Sequence, residues 1–181
     1  MRPIAISLGA LLLLAGCVAS SRATQDKEFA AAITDTGCAQ AKHFLEVSKA
    51  KLPAGQQKPF LRAGCTGDQL IVQSNGIPNF EFVPVTPNPL QAQNYTWRIP
   101  RHPRVAAAQQ QVPLLGPIAV AVNGLPIFGP NEAPQHGTAD PLLDQLLDFC
   151  SGHTARGGVY HFHVMPRCLF DSIDGRRSLV V

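Results

Sequence analysis

Apolar and polar positions alternate over Tyr95-Thr96-Trp97-Arg98-Ile99, the spacing of a strand buried on one face only. Gln69-Leu70-Ile71-Val72-Gln73 is built from strong β formers and follows a Gly67-Asp68 turn. Ile118-Ala119-Val120-Ala121-Val122 is an unbroken apolar run of strand length, which predicts a strand buried on both faces. Asn75-Gly76 and Asn123-Gly124 are turn signals, each after a β-rich run, and Phe80-Glu81-Phe82-Val83 follows the first. The six residues from Asn75 to Phe80 echo those from Asn123 to Phe128, which fits either a duplicated strand–turn–strand unit or shared turn chemistry. Residues 84–94 and 100–113 lack periodicity and read as loops. Helical spacing is best between Phe29 and Leu52, ended by Pro53-Ala54-Gly55. A second, shorter helix is expected over Leu142–Phe149, with Asp140 as its N-cap and Pro141 at its first position. The pattern as a whole predicts a mainly β, two-sheet, sandwich-like single domain with an N-terminal helical segment.

The chain's start changes the picture. Arg2 precedes an apolar run from Ile4 to Leu14, too short for a membrane span of about 20 residues but suited to an export signal. Leu14-Ala15-Gly16-Cys17 resembles the lipobox of bacterial lipoproteins, which implies cleavage before Cys17 and acylation of its sulfur. Val18 follows, so no aspartate signals retention at the inner membrane. Residues 1–16 are therefore expected to be a signal peptide, 17–27 a lipidated tether and 28–181 one domain. The expected location is the bacterial cell envelope, on the outer membrane facing the periplasm, with the membrane as partner through the lipid. A formal charge of +3 without any lysine-arginine run excludes a nucleic-acid partner class. With 16 prolines and 15 glycines against 15% charged residues, strands and structured loops are favoured over long helices. Once lipid takes Cys17, four cysteines remain: Cys38, Cys65, Cys150 and Cys168. In an exported chain they suggest two disulfides, with three possible pairings. The sequential pairing, Cys38–Cys65 and Cys150–Cys168, is the simplest.

Three of the six histidines fall between residues 153 and 163. In an extended strand His161 and His163 project from one face, and Tyr160 and Phe162 from the other. The Thr154-Ala155-Arg156-Gly157-Gly158 stretch predicts a hairpin that returns His153 beside them. Three convergent imidazoles with an open side suit a divalent transition metal, zinc or copper before others. The competing structural reading is a hydrogen-bonded histidine–carboxylate network that ties the hairpin down. Asp148 is read as a fourth ligand, as an outer acceptor that fixes a tautomer, or as a solvated helix-end carboxylate. Glu132 and Asp140, in the long 129–141 loop, are lesser carboxylate candidates, and Glu132 and Asp148 are the candidate catalytic bases. His136 in that loop is read as incidental, and His43 and His102 as surface residues. A thiol nucleophile at Cys150 is disfavoured because Cys168 offers it a disulfide partner. Ser151 lacks a nucleophile elbow. Asn94-Tyr95-Thr96 has the form of a glycosylation acceptor, which a bacterial lipobox makes irrelevant.

Several short segments together resemble the YHYH domain family of bacterial exported proteins. They are Ser74-Asn75-Gly76-Ile77-Pro78, Gly116-Pro117-Ile118, Val122-Asn123-Gly124, Gly129-Pro130-Asn131-Glu132, Asp148-Phe149-Cys150, Gly152-His153-Thr154 and Tyr160-His161-Phe162-His163, before Cys168. Phe162 departs from the tyrosine of the family name, on the face turned away from the histidines. The resemblance spans Cys65 to Leu169 and implies no particular activity. The residues therefore carry the functional expectation: a lipoprotein whose histidine hairpin binds a divalent metal, in a binding or structural role. The alternative is a metal-dependent hydrolase with an activated water and a nearby carboxylate base.

Overall fold

The computed structural model describes residues 35–113, 116–132 and 139–170. All described residues belong to one compact unit, which begins at Asp35. Cys17 and His136 lie outside the described residues, as does Phe29–Thr34 of the expected N-terminal helix.

Among the described residues, seven strands form two sheets. The first is an antiparallel meander, β1 (Leu61–Thr66), β2 (Gln69–Ser74) and β3 (Tyr95–Pro100). Its β1–β2 turn is Gly67-Asp68, and β3 pairs along the other edge of β2 with Val72 opposite Trp97. Alternation along β3 is intermediate, exposed, intermediate throughout, as its sequence pattern demands. The second sheet takes the order β4-β5-β7-β6. Its strands are β4 (Pro117–Val120), β5 (Pro126–Phe128), β6 (Gly152–Ala155) and β7 (Val159–Phe162). β4–β5 and β6–β7 are antiparallel hairpins, while β5 and β7 run parallel with Ile127 opposite Phe162. One helical turn, α1 (Arg167–Phe170), follows. The mainly β, two-sheet expectation is met.

Each sheet has its own apolar cluster. Cys38, Ala41, Cys65, Leu70 and Val72 pack on the first sheet. Ala121, Val122, Leu125, Cys150, Tyr160, Phe162 and Leu169 pack on the second. Both sequential disulfides are formed, with Cα separations of 6.1 Å for Cys38–Cys65 and 4.9 Å for Cys150–Cys168. Each ties two segments into one cluster, and a loop of this size is worth about 3 kcal/mol by chain-entropy reasoning.

The helices are where pattern and fold part. Over the described part of the expected N-terminal helix, helical structure shrinks to two 3-10 turns, Ala41–His43 and Val47–Lys49. Asp35 bridges to Cys65 and Cys38 is bonded to it, so the backbone is drawn onto β1 instead of coiling freely. Over Leu142–Phe149 there is no α-helix. Asp140 does cap the segment, its Oδ1 accepting from Leu142 N at 2.9 Å and Leu143 N at 3.2 Å. But Gln145 takes φ 57°, a left-handed conformation that ends the winding after one turn. Leu142, Leu143 and Leu146 remain exposed, so no apolar face is buried to sustain a helix. Phe80–Val83 is likewise not a strand. The Gln56 side chain takes the place of a strand neighbour, donating to Phe80 O at 2.8 Å and accepting from Phe82 N at 2.9 Å. The 118–122 run stops at Val120, with Ile118 exposed and Ala121 and Val122 buried in the following turn.

The Asn-Gly echo is a shared turn, not a shared hairpin. Asn75 Oδ1 accepts from Ile77 N and Asn123 Oδ1 from Leu125 N, both at 3.3 Å. Only the second turn joins two strands.

Candidate functional site

The histidine hairpin forms as its sequence predicts. His153 on β6 lies opposite His161 on β7. The turn between them needs Gly157 (φ 83°) and Gly158 (φ 72°), since a side chain at residue 158 would meet Pro89 O at 2.5 Å. Tyr160 and Phe162 face the other way and are fully buried in the second cluster, where Phe80 packs edge-on to Tyr160. Burying these two rings fixes the strand's rotation, and that rotation sends His161 and His163 together to the opposite face.

All three imidazoles are buried, at 5%, 2% and 7% exposure for His153, His161 and His163. Each commits its outer nitrogen to a backbone carbonyl. His153 Nδ1 donates to Leu146 O at 2.9 Å, His161 Nδ1 to Val159 O at 3.1 Å and His163 Nδ1 to Gly129 O at 2.6 Å. The proton then sits on Nδ1 in every ring, and every Nε2 presents a lone pair. Those lone pairs converge: His163 Nε2 is 3.1 Å from His153 Nε2 and 2.9 Å from His161 Nε2. Phe128 stacks on His161 with ring centroids 4.1 Å apart and closes that side.

Protonation is an unfavourable way to satisfy the cluster. Burial, with the neighbouring imidazoles adding to it, pushes the His161 pKa down to about 3. Burial also lowers His153, against the partial opposition of the Glu132 carboxylate. Buried, neutral, fixed-tautomer imidazoles with facing lone pairs are the donor set that a divalent transition ion takes. The three histidines form a group able to hold a metal ion.

The carboxylates divide differently from the sequence expectation. Asp148, expected as a ligand or outer acceptor, has both oxygens engaged elsewhere. Oδ1 accepts from Cys150 N at 2.9 Å and Gly152 N at 3.1 Å, and Oδ2 accepts from Tyr160 Oη at 2.7 Å. It braces the turn that leads into β6, where Ser151 holds φ 70°. Burial raises its pKa, while these hydrogen bonds pull the other way. Glu132, given less weight from the sequence, is the carboxylate that reaches the imidazoles. Its Oε1 is 3.2 Å from His153 Nε2 and 3.8 Å from His163 Nε2. Asp140 is the turn cap described above. His43 and His102 are exposed, as expected for surface residues. Glu132 was legible only as a carboxylate in a long loop, because its distance from the hairpin in sequence conceals that β5 runs beside β7.

Among known families, the one described as YHYH protein matches residues 96–181. This part of the chain is similar to the YHYH protein family. The YHYH segment contains β4 to β7, the name-giving Tyr160-His161-Phe162-His163, Glu132, and the Cys150–Cys168 bond. Its start at Thr96 leaves the first two strands, and with them Ser74–Pro78, outside the match. Comparison with curated proteins and with solved structures gives no match.

The Asp148–Tyr160 bond offers a test of how the YHYH tyrosine works. Tyr160→Phe keeps the ring in the core and leaves Asp148 without its hydroxyl donor. The expected loss is about 1.5–3 kcal/mol, the usual worth of a hydrogen bond to a charged group. Urea unfolding at neutral pH measures it, and an unchanged midpoint would show that Asp148 does not depend on the hydroxyl.

Proposed function

We propose that this chain is a lipid-anchored envelope protein that binds one divalent transition ion, zinc or copper, through His153, His161 and His163. The observation that carries this reading is the approach of His153 Nε2 and His161 Nε2 to within about 3 Å of His163 Nε2 while all three Nδ1 atoms are held by carbonyls. Donor atoms spaced about 3.3 Å apart fit the edges of a tetrahedron with metal–nitrogen bonds of about 2.0–2.1 Å. Imidazole without a thiolate or thioether favours zinc(II) or copper(II) over copper(I). The Leu14–Cys17 motif supports the anchor and the envelope location.

The role is binding, and the hydrolase reading is second. It draws on Glu132, a carboxylate beside the imidazoles placed where a base for metal-bound water would stand. Against it, the site is buried. A cavity of about 650 Å³ has Asp148, Ser151 and Arg167 in its wall beside apolar residues such as Leu147 and Phe149, but none of the three histidines lines it. Elemental analysis of chain purified without a histidine tag tests the proposal. The expected result is about one equivalent of zinc or copper, removable with a chelator and restored on adding the ion. Protein that stays metal-free after incubation with both ions would reject it.

A further inference from the structure

We infer that Glu132 is the fourth protein ligand of this ion, so that the metal clasps the segment leaving β5 to the β6–β7 hairpin. The inference rests on the three-histidine reading and extends it to the carboxylate. Glu132 Oε1 is a buried oxygen that receives no hydrogen bond among the described residues. Yet it points at two nitrogens, 3.2 Å from His153 Nε2 and 3.8 Å from His163 Nε2. Those nitrogens carry lone pairs because their rings donate from Nδ1. A carboxylate oxygen facing lone pairs at that distance is repelled unless a cation lies between them, and burying it unpaired carries a penalty of its own.

The spacing fits a common centre. Four of the six separations among Glu132 Oε1 and the three Nε2 atoms are 2.9, 3.1, 3.2 and 3.8 Å, and the three histidine ligand atoms all lie within 4.8 Å of one another. They scatter about the edge of roughly 3.3 Å that bonds of 2.0–2.1 Å give a tetrahedron. The backbone holds the carboxylate in place from both sides. Glu132 N donates to Ala139 O at 3.0 Å, which fixes the residue at the base of its loop. Three residues earlier, Gly129 O receives the Nδ1–H of His163. The same short segment thus supplies an acceptor to the outer side of one imidazole and a carboxylate to the inner side of the cluster.

The consequence is a closed, four-coordinate site. A ligand position filled by Glu132 is not free for a water, so the ion serves as a clasp and not as a hydrolytic centre. One neutralising carboxylate among three neutral imidazoles also leaves the bound ion with a net charge of +1, easier to bury than the bare dication.

Cobalt(II) reads the coordination number directly. Four-coordinate cobalt absorbs visible light far more strongly than five- or six-coordinate cobalt. The experiment uses untagged full chain, stripped with chelator and titrated with cobalt(II), then challenged with azide. It compares the unaltered protein with Glu132→Gln, Glu132→Ala and His161→Ala. The unaltered chain should give an intense spectrum that azide does not change. Glu132→Gln should bind more than about tenfold more weakly, exceeding the low end of the 10–100-fold lost with an outer partner. Glu132→Ala should give a spectrum that azide shifts, because a ligand position has opened. Hydrogen exchange at residues 129–132 should slow on metal binding in the unaltered chain and not in Glu132→Ala. Unchanged affinity and spectrum in both Glu132 variants, with azide binding already seen in the unaltered chain, would overturn the clasp while leaving three-histidine binding intact. Equal cobalt binding by His161→Ala would overturn the three-histidine reading itself, and the clasp with it.

Discussion

Replacing His163 by alanine is expected to abolish the proposed zinc binding, whereas replacing His43 should leave it unchanged. His163 is the hub of the cluster. Its Nε2 lies within 3.1 Å of both other Nε2 atoms and 3.8 Å from Glu132 Oε1, so every donor pair measured across the site except His153–Glu132 includes it. Its removal leaves two imidazoles that no longer share a near neighbour, and it orphans the Gly129 carbonyl that had accepted its Nδ1–H hydrogen bond. The affinity loss should exceed the roughly 10–100-fold typical of an outer partner, because a direct donor is gone. His43 is exposed and sits in a 3-10 turn away from the hairpin, so its removal has no route to the site. Calorimetric titration of chelator-stripped, untagged protein measures both. Equal zinc affinity in His163→Ala and the unaltered chain would refute the site.

In metal-free protein, stability falls as the pH drops from about 6.5 toward about 3. The sign follows from His161. Its folded pKa is about 3, held down first by burial and then by its imidazole neighbours, against an ordinary value of 6.5. Between these values the unfolded chain takes a proton that the folded chain refuses, so each unit of acidification costs about 1.4 kcal/mol per such group. Above about 6.5 both states are neutral and the contribution is flat. His153 is shifted in the same direction, also by burial first, and steepens the loss. Asp148 works the other way: its raised folded pKa gives the fold a proton-uptake advantage once the pH enters the carboxylate range, so the slope eases at the acid end. Zinc bound at the proposed site should reverse the picture at neutral pH, since ligand at 1,000 times its dissociation constant adds about 4 kcal/mol, and that gain should fade in acid as protons compete for the imidazoles. Urea unfolding at a series of pH values, with chelator and then with zinc, follows both effects. Constant or rising stability between pH 6.5 and 4.5 in chelator would contradict the burial of neutral imidazoles.

Local chain chemistry determined a great deal. Strand alternation alone placed His161 and His163 on one face and Tyr160 and Phe162 on the other, because the side-chain period of a strand is two whatever surrounds it. The glycine pair at 157 and 158 determined that the chain reverses there and brings His153 back. Turn chemistry marked Gly67-Asp68 and Asn123-Gly124 as reversals, and the sequential cysteine pairing followed the same local logic. Helices were less legible. The apolar residues of 142–149 carry a helical spacing, but a helix of that length lives on tertiary burial of its face, and Leu142, Leu143 and Leu146 find none.

Only the tertiary structure decided which carboxylate meets the histidines. Asp148 is five residues from His153 and looked the natural partner, yet the buried Tyr160 hydroxyl and two backbone amides claim it. Glu132 is 21 residues from His153, and it arrives because β5 pairs in parallel with β7 and carries Gly129 to His163 as it leaves the sheet. The tautomers were hidden for the same reason. Two of the three carbonyls that fix them, Leu146 O and Gly129 O, come from segments whose approach is set by packing around a shared core and not by any spacing along the chain.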